Sequence, residues 1–211
     1  MEAFTQLTSI AASLPEANVD TDIIFPARFL LLTEKTGLGK YAFYERRYGL
    51  NGVEIVDFPL NREPYRSSQI LLAGDNFGCG SSREQAPWAL RDLGFRSIIS
   101  TGFGEIFYSN CFRNGMLPIV ITAEQLAILQ RESAAEKPLT IDLINRCLRP
   151  HQDKPMPFQL ADWRRNALIN GWDEISMILN QEADQIAAFE ARQRQLMPWL
   201  YDIPAGERIT S

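Results

Sequence analysis

Apolar positions along the chain recur with two periods, and the switches between them outline the elements. Residues 69–73, apolar from Ile70 to Ala73, read as a buried strand. Residues 84–93 follow with Ala86, Leu90 and Leu93 at helical spacing. The alternation then repeats. A strand is predicted over 96–101 around Ile98 and Ile99, a helix over 104–114 closed by Gly115, a strand over 117–121 and a helix over 123–134. Residues 139–144 alternate apolar and polar side chains, as a half-buried strand does. A turn over 149–157 leads into Phe158-Gln159-Leu160. Beyond it, helices are predicted over 161–170, 173–179 and 182–196, with Ile175, Ile178 and Leu179 on one face. Pro198 and Pro204 predict an extended tail carrying Trp199 and Tyr201, suited to docking on a partner subunit or to staying poorly ordered.

The first third is less regular. Residues 4–12 read as an edge strand, because Phe4, Leu7 and Ile10 sit among Thr and Ser. Asn18 to Asp22 is a turn by composition, since Asn and Asp bond locally to backbone. A strand over 23–25 is stopped by Pro26, which launches the loop 28–33. Residues 37–60 are aromatic and broken by Gly49 and Gly52, with a short helix expected over 40–47. The expectation is an α/β chain forming one domain over 1–211, of which 161–211 is a mainly helical C-terminal segment.

Composition narrows the function. A net charge of −5 argues against a nucleic-acid surface. No stretch approaches the roughly 18 apolar residues of a membrane span, and the N-terminus lacks the basic start and apolar core of an export signal, so a cytoplasmic location is expected. Cys79, Cys111 and Cys147 stand 32 and 36 residues apart, which suits neither a disulfide framework nor a Cys-x-x-Cys metal site. His151 is the only histidine, so neither zinc ligation nor a Ser-His-Asp triad is readily built. A Cys79–His151 nucleophilic pair is formally open, but His151 lies in a polar turn and reads as a surface residue.

The densest chemistry lies over residues 74–84, Gly-Asp-Asn-Phe-Gly-Cys-Gly-Ser-Ser-Arg-Glu, between a predicted strand and a predicted helix. Gly78 and Gly80 permit positive φ or close approach of a ligand. Ser81 and Ser82 are expected at the helix N-cap, where the dipole favours a carboxylate or phosphate. Arg83 adds a donor fork suited to a carboxylate. The stretch has no Lys for a phosphate loop and is not a Gly-x-Ser-x-Gly elbow. A glycine turn with a well-capped helix would account for Gly80, Ser81 and Ser82 but not for Arg83.

Residues 78–84, continued by Ala86-Pro87-Trp88-Ala89-Leu90, resemble the signature of the small-subunit family of 3-isopropylmalate dehydratases, the swivelling-domain half of the aconitase superfamily. The similarity continues at Asn18-Val19-Asp20-Thr21-Asp22-Ile23-Ile24, Phe107-Tyr108-Ser109-Asn110, Asn114-Gly115-Met116-Leu117-Pro118 and Asn170-Gly171-Trp172-Asp173-Glu174-Ile175, so it spans most of the chain in order. The resemblance implies a swivelling-domain β/β/α fold. It also implies isomerisation of 2-isopropylmalate and 3-isopropylmalate through dehydration and rehydration, in leucine biosynthesis. A [4Fe–4S] cluster is then expected on a separate large subunit, with none bound by this chain. By the same resemblance the catalytic residues are Ser81, Arg83 and Asp22: Ser81 is the base, Ser82 and Arg83 bind the carboxylate of the hydroxy-dicarboxylate substrate, Arg83 also stabilises the alkoxide, and Asp22 is an active-site aspartate pairing with a charge on the partner. Leu30, Leu31 and Leu32 fall in the loop that sets side-chain preference in relatives, where they suit an isopropyl group or plain packing. Two departures stand out: Gln85, where many relatives carry His, and Arg28 in the specificity loop, suited to an extra carboxylate. The alternatives are a related subunit acting on methylmalate–citraconate or homoaconitate, and a non-catalytic anion-binding module.

Overall fold

Strands β1 (Gln6–Leu14), β2 (Ile70–Ala73), β3 (Ser97–Ser100), β4 (Leu117–Val120), β5 (Pro138–Asp142), β6 (Cys147–Arg149) and β7 (Met156–Pro157) form one sheet in the computed structural model, which describes residues 1–32 and 34–201. Their order is β4-β3-β2-β1-β5-β6-β7. The β1–β4 side is parallel and the β5–β7 side antiparallel. Helices α3 (Gln85–Leu93) and α4 (Glu105–Arg113) are the crossovers of the parallel half. Helix α5 (Ala123–Ala134) leads from β4 to β5 and opens on a capping box between Thr122 and Gln125. Every residue of β2 and β3 is buried, as strands covered on both faces must be. Their side chains divide by alternation: Leu71, Ala73 and Ile98 enter one core with Phe25, Phe43, Phe77 and Leu90, while Ile70, Leu72 and Ile99 enter a second with Leu117, Leu129 and Leu168.

β1 is the middle strand, not the edge strand expected of 4–12. Its first half, Gln6 to Ile10, pairs antiparallel with β5, and its second half, Ala11 to Leu14, pairs parallel with β2. Each half is thus laddered on one flank, which accounts for its mixed polar pattern. At the hand-over the buried Ser68 hydroxyl accepts from Ala12 N–H at 3.0 Å and donates to the Ile10 carbonyl at 2.7 Å.

Three other expectations are corrected. The predicted strand over 23–25 is helix α1 (Thr21–Ile24), because Asp20 Oδ1 accepts from Ile23 N–H at 2.8 Å and caps it. The helix expected over 40–47 is split at Phe43, whose φ is 52°, into a 3-10 turn Gly39–Tyr41 and α2 (Tyr44–Arg47). The turn expected over 149–157 contains the end of β6 and all of β7. Its connection is held by buried Glu132, whose carboxylate accepts the N–H groups of His151, Gln152 and Asp153 at 2.6, 2.9 and 3.2 Å.

The chain divides after Gly171 into two units. The first closes with α6 (Asp162–Asn170), which places Leu168 in the second core. The second begins at Trp172 and comprises α7 (Glu174–Gln181), α8 (Ala183–Leu196) and a 3-10 turn Pro198–Leu200, where an extended tail was expected. Pro204 lies outside the described residues.

Candidate functional site

Parallel strands deliver the loops at their C-terminal ends to one edge of the sheet, where α/β folds build their sites. Here β1, β2 and β3 are neighbours, so the loops 15–20, 74–84 and 101–104 converge. Backbone bonds join them. Gly78 N–H donates to Val19 O at 2.7 Å, Thr21 N–H to Cys79 O at 3.0 Å, Phe77 N–H to Gly102 O at 3.0 Å and Gly104 N–H to Phe77 O at 2.9 Å. Side chains add to the weave: Thr21 Oγ1 donates to Ser81 O at 2.9 Å, and Thr101 Oγ1 to Asp75 Oδ1 at 2.8 Å. The glycine at 78 is required twice over. Its φ is +73°, and a Cβ there would stand 2.2 Å from the Phe107 ring.

Four of the seven predicted site residues are brought together here. Ser81, Ser82 and Arg83 follow the glycine turn, and Asp22, on α1, forms an ion pair with the Arg83 guanidinium. Asp22 therefore pairs within its own chain. Arg83 is largely covered, with 15% of its side chain exposed, against 48% for Asp22. The two serines are exposed. They are not helix caps, as was expected: α3 begins at Gln85 with Glu84 in the cap position, because the chain continues as loop through Ser82 and Arg83. Neither serine hydroxyl makes a hydrogen bond among the described residues. The helix whose first turn meets the glycine turn is α4. A depression of about 230 Å³ is lined by Gly78, Cys79, Gly80 and Ser81 on one side and by Gly104, Glu105, Ile106 and Phe107 on the other. This second wall was not anticipated, although Gly102-Phe103-Gly104 repeats the strand–glycine–helix layout of the first.

The other predicted residues lie on the 3-10 turn Ala27–Phe29 and just after it. Leu30 packs partly against the first core, Leu31 is 93% exposed and Leu32 36%. Thr33 lies outside the described residues. Arg28 is committed elsewhere: it pairs with Glu45 at 2.9 Å and lies over the Phe29 and Tyr44 rings at 4.8 and 4.9 Å.

An iron–sulfur cluster needs several thiolates around one point, and these cysteines do not fit it. Cys79 is in the glycine turn. Cys111 is inside the first core on α4, where burial pushes its thiol far above the usual range. Cys147 is in β6, with Sγ 3.5 Å from Leu148 O. Among the described residues no group of three His, Cys, Asp or Glu is placed to hold a metal ion.

The Aconitase C-terminal domain family matches residues 1–124, and the C-terminal domain family of the 3-isopropylmalate dehydratase small subunit matches residues 181–203. The chain is similar to the 3-isopropylmalate dehydratase small subunits of Afipia carboxidovorans, at 50% identity, and Paracoccus denitrificans, at 48%. Each similarity covers 95% of this chain and the whole of the relative. A crystal structure of 3-isopropylmalate dehydratase from Methanocaldococcus jannaschii shares the fold with a TM-score of 0.63 at 22% identity, over 87% of this chain and 99% of that one.

Proposed function

Since the chain belongs to the 3-isopropylmalate dehydratase small subunits, within the Aconitase C-terminal domain family, we propose that its glycine turn is the proton-transfer half of an active site completed by a large subunit. The protein is a lyase subunit that interconverts 2-isopropylmalate and 3-isopropylmalate by removing and restoring water. One observation carries the site reading: Arg83 and Asp22, 61 residues apart, are joined beside two serine hydroxyls that have no structural bond of their own.

Each residue has a distinct task. Ser81 removes the proton from the carbon beside a carboxylate as the neighbouring hydroxyl departs and a carbon–carbon double bond forms; water then adds back with the opposite regiochemistry. Arg83 grips a substrate carboxylate through its planar donor fork, and Ser82 donates to the same group. Asp22 holds the guanidinium in place. A serine hydroxyl is a weak base in water, so it must act beside a cation with solvent excluded. The exposure of Ser81 therefore supports closure by a second protein surface. A [4Fe–4S] cluster held by the large subunit would supply the Lewis acid for the departing hydroxyl. Leu30, Leu31 and Leu32 present apolar surface to the isopropyl group, as the exposure of Leu31 favours. Because Arg28 is committed to Glu45, it gives no support to a substrate with an additional carboxylate.

The test is reconstitution of this chain with its large subunit under anaerobic conditions, followed by the ultraviolet absorbance of the unsaturated intermediate. Isopropylmalate should be turned over at a higher kcat/KM than methylmalate or homoaconitate. A preference for either of those would overturn the substrate assignment.

A further inference from the structure

The second unit is built as a surface. None of its described residues, 172–201, is buried. Ile175, Ile178 and Leu179 on α7 are exposed by 69, 54 and 55%, and Phe189 and Leu196 on α8 by 53 and 66%. Trp199 and Leu200 continue the apolar series in the turn that follows. Helices of eight and fourteen residues are marginal in water by themselves and hold their shape by packing an apolar face. An apolar series of this length is more than the scattered exposure of an ordinary surface, and it marks a binding face.

Three observations narrow the occupant. The first unit has two cores of its own, complete within residues 4–169. The charged residues of 172–201 are Asp173, Glu174, Glu182, Asp184 and Glu190 against Arg192 and Arg194, whereas helices that lie on membranes are rich in Lys and Arg. The occupant is therefore a protein. The third observation is how the family matches divide. Residues 1–124 match a domain family, while 181–203 match a family confined by its description to 3-isopropylmalate dehydratase small subunits. The helical unit thus goes with the fold existing as a separate subunit, which must find its large partner by contact.

We infer that α7, α8 and the turn bearing Trp199 form an apolar arm that docks on the large subunit. The inference rests on the two-subunit function proposed above. Trp199 and Phe189 are its natural anchors, since large aromatic side chains dominate binding energy at interfaces.

The test uses the full chain carrying Ile178→Glu, Phe189→Glu or Trp199→Ala, with association to the purified, cluster-loaded large subunit followed by sedimentation. Weakening of about tenfold or more is expected for each variant, with kcat recovered at saturating large subunit and the circular dichroism and thermal unfolding of the isolated chain unchanged. Unchanged association would overturn the arm. So would a loss of stability or of self-association in the isolated variants, because the face would then be covered by this chain or by a second copy. Binding is read without substrate, so a wild-type pair that associates but does not turn over isopropylmalate would refute the function and leave the arm standing.

Discussion

Ser81 lies upstream of the helix that follows it, and its side chain has no bond in the fold to lose. Replacing it with alanine should therefore leave stability within about 0.5 kcal/mol of wild type, as at other exposed positions. A proton acceptor matters to the transition state more than to binding. Ser81→Ala should thus lower kcat by a factor on the order of 10²–10⁴ while KM stays within a few-fold. Near-normal turnover in a folded, assembled variant would send the search for the base elsewhere. Arg83 differs, since the proposed task for it is a bidentate grip. Arg83→Lys keeps the charge and loses the fork, so kcat/KM should fall by about tenfold or more, mostly through KM. A variant with unchanged KM would show that Arg83 serves only to hold Asp22.

At the scale of elements, the glycine turn and the first turn of α4 are mutually fitted. Gly78→Ala would drive a Cβ into the Phe107 ring at 2.2 Å while keeping a left-handed backbone. The expected cost is about 2–4 kcal/mol in urea unfolding, and a loss under 1 kcal/mol would mean that the glycine turn and α4 are not in contact. The β5–β6 turn has a pH signature. Asp142 is held below the usual carboxylate range first by Asn145, through side chain and backbone, and then by Arg149. A carboxyl with a depressed folded pKa contributes stability above its unfolded pKa of about 4 and loses it as pH falls through the folded value. Asn145→Ala should therefore be less stable than wild type at pH 7, and the gap should narrow as the pH falls below the unfolded carboxylate range and on through the lower folded value; a gap independent of pH would exclude the carboxylate as its source. Legibility in the sequence follows the same physics. β2 is readable because a strand buried on both faces is written as an apolar run, and β3 and β4 because Ile98-Ile99 and Leu117 to Val120 carry enough of the same signal between turn residues. Residues 23–25 resemble a strand because a four-residue helix has no periodicity to show, and the cap at Asp20 decides its form. β6 and β7 are too short to leave a pattern. The reactive stretch is legible from its residue types, but not the Asp22–Arg83 pair, which only the packing of α1 beside the glycine turn creates.

For the molecule as a whole, the proposed site is half built. The serine and arginine proposed as proton acceptor and carboxylate grip stand where the C-terminal ends of the parallel strands meet, and the proposal leaves polarisation of the departing hydroxyl to the large subunit. The cysteines are too dispersed to serve: one lies in the glycine turn, one inside a core and one on β6. The expected outcome is that the isolated chain takes up no iron in anaerobic reconstitution and shows no isopropylmalate turnover, while addition of the large subunit restores activity. Oxidative bleaching or chelation of the cluster in the complex should abolish that activity. The small subunit released from the bleached complex should retain its circular dichroism and thermal unfolding, because no metal ligand contributes to its cores. Iron uptake by this chain alone, with turnover in the absence of any second subunit, would overturn the division of labour between the two chains. Unfolding on iron removal would show instead that the metal belongs to this fold.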